Sequence, residues 1–263
     1  MEYKEVEMNF IDFHCHLDYK DFEGQRKKII DECFNSGFSR IVTVADPYEK
    51  ASHERTLEIL EYNNNISCMT AAHPHNADQY NPEIEKKIFK FLENKRAIAV
   101  GEAGLDFHYN LSTPENQLRV FKRQINIARE VKMPLLIHSR EAEEEILRTL
   151  EQMEFDLPVI FHCYTGNMKD AKEILEKGYY ISISGIVTFK KSEYLREIVK
   201  ILPINRIFYE TDSPYLSPEP FRGKLNTPLR AKIVAEKIAE IKNISIKELN
   251  KAVNENFNRL INL

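Results

Sequence analysis

No run of about eighteen or more apolar residues occurs in the chain, so no membrane-spanning helix is expected. The opening residues, Met1 to Met8, are charged and lack an apolar core, which is not the pattern of a secretory signal. No Gly-x-Gly-x-x-Gly follows the first β-like run, which argues against a dinucleotide-binding sheet. Positive charge is not in excess: 37 Lys and Arg stand against 41 Asp and Glu, for a net charge of −4. A protein-wide basic field is therefore absent, and a nucleic acid would have to be met by a local patch or by bound cations. Cysteine is scarce. Cys15, Cys33, Cys68 and Cys163 form no Cys-x-x-Cys pair, which suits a reducing, cytoplasmic setting. Cys15 and Cys163, which sit beside run-end histidines, are expected as small buried residues on the outer faces of strands. No repeat, low-complexity tract or linker divides the 263 residues, so one domain over residues 1–263 is expected, with a monomer as the default.

What is present is an alternation. Eight short apolar or β-branched runs are separated by helical patterns. The runs are Asn9 to His16, Arg40 to Ala45, Ser67 to Ala72, Arg96 to Glu102, Pro134 to His138, Pro158 to His162, Tyr179 to Ser184 and Arg206 to Asp212. They show little polar alternation, as expected of parallel strands covered on both sides. Pro82 and Pro114 suit the first turns of helices, and Gly37 and Gly178 suit helix stops. Two helical stretches close the chain, about Pro228 to Ile241 and Ile246 to Ile261. Gly101 to Asp106 reads as a loop beyond Glu102. The expected fold is an α/β barrel of the (β/α)8 TIM type with an extra C-terminal helix.

The ends of these runs carry the chemistry. The first ends in His14 and His16, the third is followed by His73 and His75, and the fourth ends at Glu102. The fifth, sixth and eighth end at His138, His162 and Asp212. Six of the eight histidines fall at such ends, and only His53 and His108 fall elsewhere. In a barrel all strand C-termini open on one mouth. Side chains at i and i+2 of a strand share a face, so His14 and His16 project together and Cys15 points away. Four histidines and two carboxylates exceed the roughly four ligands of one tetrahedral ion. The expected cofactors are two divalent metal ions, of Zn, Mn, Fe or Mg, with Glu102 between them. His14, His16 and Asp212 would hold one, and His138 and His162 the other. By strand period Glu210 shares the face of Asp212, and Arg140 that of His138.

The chain resembles the TatD-type metal-dependent deoxyribonucleases, within the amidohydrolase-like barrels. The resemblance runs nearly end to end. Its motifs are Asp12-Phe-His-Cys-His-Leu-Asp18, His73-Pro-His75, Gly101-Glu-Ala-Gly-Leu-Asp106 and Pro134-Leu-Leu-Ile-His-Ser-Arg-Glu-Ala142. They continue with His162-Cys-Tyr-Thr-Gly166 and Glu210-Thr-Asp-Ser-Pro-Tyr-Leu216, followed by Pro218, Arg222-Gly223 and Asn226. Ala71-Ala72 and Thr165-Gly166 depart from the usual pattern without touching a ligand.

The resemblance implies a divalent-metal nuclease, often a 3′→5′ exonuclease on single-stranded DNA or RNA. It also implies metal ligation by His14, His16, Glu102, His138, His162 and Asp212. Catalytic roles fall to Asp212 as general base and Glu102 as the group between the ions. His75, Arg140 and Arg222 would meet phosphate, with Lys190, Lys191 and Lys224 adding charge. Phe107, Tyr164, Phe189 and Tyr215 are candidates to stack bases. The competing expectation keeps the barrel and metals but cleaves a C–N or ester bond, as an amidohydrolase-type deacylase acting, for example, on aminoacyl-tRNA. Such barrels often bridge their ions with a carboxylated lysine, and the fourth run offers Glu102 and no lysine at its end.

Overall fold

A computed structural model of the chain describes residues 8–49 and 51–262. The expectation on the opening residues, Met8 apart, lies outside the described residues. Eight parallel strands follow one another in a single sheet in chain order. They are β1 (Phe10–Cys15), β2 (Phe38–Ala45), β3 (Ile66–Thr70), β4 (Ala97–Asp106), β5 (Leu135–Arg140), β6 (Val159–Phe161), β7 (Tyr180–Ile183) and β8 (Ile207–Tyr209). Between them run α1 (Arg26–Asn35), α2 (Ser52–Tyr62), α3 (Pro82–Leu92), α4 (Pro114–Val131), α5 (Glu143–Gln152), α6 (Met168–Glu176) and α7 (Glu193–Ile201). Helices α8 (Ala231–Lys242) and α9 (Ile246–Ile261) close the chain. This is the (β/α)8 barrel of the TIM type, and α9 is the extra helix.

The local signals act as their chemistry requires. Asn81 caps α3 by accepting from Glu83 and Ile84 N–H, with Pro82 at the first helical position. Thr113 does the same for α4 from Asn116 N–H, ahead of Pro114. Gly37 and Gly178 take positive φ just past α1 and α6. Every residue of β1, β3 and β7 is buried, as a strand covered on both faces requires.

Two strands depart furthest from the expected bounds, while the other six lie within two residues of them at each end. β4 does not stop at Glu102. It runs to Asp106 and pairs with β5 through Ala103↔Ile137, Gly104↔His138 and Asp106↔Arg140, so the expected loop is strand. The physical reason lies at Gly104. A Cβ there would stand 2.0 Å from the His138 carbonyl oxygen, so only glycine lets the two backbones run together. β8 is shorter than expected and ends at Tyr209. Beyond it single backbone bonds continue the ladder. Glu210 N–H donates to Ile183 O at 3.1 Å, and Asp212 N–H donates to His14 O at 2.9 Å.

Those bonds close the barrel. His16 N–H donates to Ser213 O at 2.8 Å, and Cys15 and Ser213 form a parallel bridge. The buried Asp12 carboxylate clasps the seam, accepting from Thr211 N–H at 2.9 Å and from the Thr211 hydroxyl at 2.5 Å. At the other end of the seam α9 covers the strand starts. Tyr209 OH donates to Asn250 Oδ1 at 2.7 Å and accepts from Ile11 N–H at 3.1 Å. Asn256 Nδ2 donates to Ile207 O at 2.9 Å. Among the described residues no helix is long and apolar enough to cross a membrane.

Candidate metal centre

The strand ends open on one cavity of about 630 Å³, lined among others by His16, His73, His75, Glu102, His138, His162 and Asp212. His14 lies near the end of β1 and His16 just beyond it, and the pairing of Asp212 N–H with His14 O seats the Asp212 side chain beside them. Asp212 Oδ1 lies 3.5 Å from His14 Nε2 and 3.4 Å from His16 Nε2. Asp212 itself sits at φ 55°, a left-handed conformation three residues past the end of β8 that Asp tolerates better than most residues. Glu141 and Cys163, just past β5 and β6, are also left-handed, at φ 55° and 42°.

Glu102 stands at the centre. Its Oε1 lies 3.0 Å from both His14 Nε2 and His162 Nε2, and its Oε2 lies 3.9 Å from His73 Nε2. Ligand atoms of His14, His16, Glu102 and Asp212 all fall within 4.8 Å of one another, and so do those of His73, Glu102 and His138. The rings of His14 and His162 stack at 4.2 Å. Glu102 therefore faces both groups, as a carboxylate placed between two ions would. The first group is the expected His14, His16 and Asp212 set with Glu102 added. In the second, His138 sits with His73, whereas the expectation paired it with His162.

A metal ion fits these residues. Both ring nitrogens of His14 and Nε2 of His162 are buried with no hydrogen-bond partner, although each Nε2 lies 3.0 Å from Glu102 Oε1. Buried imidazole nitrogens without partners are costly unless something else binds them. Donors that converge without bonding one another surround a common point, and mixed imidazole and carboxylate donors suit Zn²⁺, Mn²⁺ or Fe²⁺.

The electrostatics agree. Burial pushes the Glu102 and Asp212 carboxyls up, but the imidazoles beside them, His14 and His162 for Glu102 and His14 and His16 for Asp212, hold both well below the usual range. Burial and the charge of His14 push His162 down, yet Glu102 and Glu210 carry it up to about 9. A ligating imidazole must give up its proton, so ion loading releases protons and affinity rises with pH toward that value.

Glu210 is wholly buried behind His162. Its Oε1 accepts from Cys163 N–H at 2.8 Å and lies 3.2 Å from His162 Nδ1, and its Oε2 accepts from the Ser182 hydroxyl. This arrangement holds the ring so that Nε2 points at Glu102. Glu210→Gln keeps the shape and removes the charge. It is expected to lower divalent-ion affinity about 10- to 100-fold, read by ion titration, with little change in thermal melting. Unchanged affinity would reduce Glu210 to a packing role.

The remaining expected residues are spread more widely. Arg140 lines the cavity. Its Nη1 donates to Thr165 Oγ1 at 2.8 Å, and its Nε is buried without a partner. His75 lines the cavity too, with Nε2 2.7 Å from Asp106 Oδ2. Arg222 stacks its guanidinium on Phe189 at 4.4 Å and is not among the cavity-lining residues, nor are Lys190, Lys191 and Lys224. Of the expected aromatics, Tyr215 lines the cavity and is 54% exposed, while Phe107, Tyr164 and Phe189 do not line it. Cys15, Cys33 and Cys68 are buried free thiols, and Cys15 Sγ points away from the histidines to Val42 O. Cys163 departs from the expectation: it is half-buried and lines the cavity, because its left-handed backbone turns it off the strand face.

Three residues join the site: His73, a run-end histidine left out of the expected ligand set, and Asp106 and Tyr109, which spacing did not single out. His73 reaches Glu102, Asp106 reaches His138 with Oδ2 3.1 Å from Nε2, and Tyr109 stands at the rim, 61% exposed. A signal for Asp106 was available. Glu102, Gly104 and Asp106 share a face once the strand is allowed to continue.

The TatD related DNase family profile matches residues 11–262. Over 253 residues the chain is 34% identical to the uncharacterized metal-dependent hydrolase YabD of Bacillus subtilis, covering 96% of this chain and 98% of that protein. It is also 34% identical over 260 residues to the uncharacterized metal-dependent hydrolase YcfH of Escherichia coli, covering 97% of each. The crystal structure of YjjV, a TatD homologue from Escherichia coli, has the same fold, with a TM-score of 0.90 at 24% identity over 98% of this chain and 100% of that one. The match over nearly the whole described length, and two relatives above 30% identity, establish that the chain belongs to the TatD-related DNase family.

Proposed function

We propose that this chain, a metal-dependent hydrolase by family, cleaves phosphodiester bonds at single-stranded 3′ ends of DNA, with RNA as a second substrate. The observation that carries the reading is the convergence of His14, His16, Glu102 and Asp212 within 4.8 Å of one another at the barrel mouth, where Glu102 also faces His73 and His162. Divalent ions held there supply Lewis acidity to the phosphoryl oxygens and lower the pKa of an attacking water. Asp212, held ionised and open to the cavity, accepts the proton of that water. Glu102 keeps the two groups of histidines at a fixed separation. Arg140 lines the cavity and places a guanidinium where a phosphate oxygen can meet it. Tyr109 and Tyr215 present exposed rings at the rim, where unpaired bases can stack. Cations held by these residues would let a chain of net charge −4 meet a polyanion.

The test is cleavage of 5′-labelled single-stranded DNA and RNA with Mn²⁺ or Mg²⁺, beside an amide and an ester substrate. Laddering from the 3′ end, abolished by chelator and restored by added ion, is the expected result. Hydrolysis of the amide or ester alone would move the chain to the deacylase reading.

A further inference from the structure

We propose that Asp46 reads the 3′ end of the substrate, accepting a hydrogen bond from a terminal 3′-hydroxyl and repelling a 3′-phosphate. This deepens the phosphodiesterase reading and rests on it. Asp46 directly follows β2 and lines the mouth cavity beside His16, Tyr19 and Asn76. Its backbone N–H donates to Ser52 Oγ at 2.7 Å, and its Oδ1 accepts from Tyr48 N–H at 2.8 Å. Ser52 is itself fully buried and donates to Asp18 Oδ2 at 2.5 Å. Asp46 is thus held at both backbone and side chain. Its Oδ2 meets no donor among the described residues and is not buried, so it is available to a ligand in the cavity. Burial pushes the carboxyl above the ordinary range, Tyr48 N–H opposes this, and the charges of Glu49, His16 and Glu102 reach it as well. Asp46 therefore stands within electrostatic range of the central donors.

The mouth is polarised. Strands follow chain order around the ring, so Arg140 at the end of β5 and Thr165 beyond β6 stand three and four places round from β2, on the far side. Both line the cavity there, with Arg140 Nη1 bonded to Thr165 Oγ1. A terminal phosphodiester held among His14, His16, Glu102 and Asp212 has a neighbour on each side. On its 5′ side the strand continues with further phosphates, which suit the guanidinium wall. On its 3′ side lies one nucleoside, and in DNA the 3′-hydroxyl is the only donor its sugar offers. Every internal sugar carries a phosphate on that oxygen instead. A carboxylate accepts from the hydroxyl and repels the phosphate, so Asp46 favours a chain end by acting against the alternative.

The test uses two 5′-labelled single strands of one sequence, ending in a 3′-hydroxyl or a 3′-phosphate. Wild type, Asp46→Asn and Asp46→Glu cleave them with Mn²⁺, and circular dichroism checks folding. Wild type is expected to cut the 3′-phosphate strand about a hundredfold more slowly. Asp46→Asn keeps an acceptor for Tyr48 N–H and removes the charge. Its discrimination is expected to fall below about fivefold, through faster cutting of the 3′-phosphate strand. Asp46→Glu keeps the charge and is expected to hold at least about tenfold. Inhibition by thymidine 5′-monophosphate and by thymidine 3′,5′-bisphosphate reads the same preference in wild type alone. The bisphosphate, despite its extra charge, is expected to inhibit more weakly. Equal rates on both strands in wild type, or stronger inhibition by the bisphosphate, overturn the role of Asp46. So does an Asp46→Asn that discriminates as wild type does, or an Asp46→Glu that relaxes as far as Asp46→Asn. Each of these leaves the phosphodiesterase standing. Wild type that cuts neither strand counts against the phosphodiesterase itself, and the role of Asp46 falls with it.

Discussion

Asp212→Asn is expected to slow single-turnover cleavage of a single-stranded oligonucleotide about a thousandfold at saturating Mn²⁺. The melting temperature is expected to move by only a few degrees. Asparagine has the shape of aspartate and accepts the left-handed backbone at φ 55°, so the seam with His14 stays closed. What disappears is the proton acceptor and one negative ligand. The lost attraction to His14 and His16 is offset by relief from burying a charge, which keeps the effect on stability small. An Asn variant within tenfold of wild type would remove Asp212 from the chemistry. The same variant titrated with Co²⁺ separates lost proton transfer from lost ion binding, since only the second lowers the ion equivalents.

The second large effect is structural. Gly104→Ala is expected to cost more than about 3 kcal/mol, from a strained backbone and an unavoidable clash together. Gly104 has φ 145°, and its Cβ would stand 2.0 Å from His138 O and 3.0 Å from His138 C. The obstacle is backbone, so no side chain can swing aside. Either the barrel destabilises, with melting lowered by roughly 6–12 °C, or β4 and β5 part and His138 moves off Asp106. Denaturant titration and Co²⁺ binding on one preparation read the two outcomes. A variant as stable as wild type with full ion binding would show that the strands tolerate more separation than their register implies.

The architecture was legible because parallel strands covered on both faces must be short apolar runs, and this chain has eight of them in strict alternation with helices. Histidines at the run ends then marked the mouth. The bounds of β4 were not legible. Gly101 and Gly104 carry the composition of a loop, and only the approach of the β5 backbone makes glycine the strand residue there. The loss of that strand extension hid Asp106. His73 was visible as a strand-end histidine, but its reach to Glu102 depends on how the short helical turn Pro74–Gln79 leaves β3, which periodicity does not encode. Arg222 sits in a loop with four prolines, whose path follows tertiary contacts, and there it stacks on Phe189. The Asp212 position was legible for a different reason: once the barrel closes, the first and last strands must be neighbours.

That seam also sets a schedule. The bonds that seat Asp212 beside His14 and His16 join His14 to Asp212 and Asp12 to Thr211, a separation of 199 residues for the latter pair. The first of the described strands is thus the last to be paired on both edges. Contacts this far apart are slow to form, since the whole intervening chain must be gathered first. An ion that binds only the closed seam favours the folded barrel by mass action. Added divalent ion is therefore expected to raise the yield of refolded barrel from denaturant, read by circular dichroism.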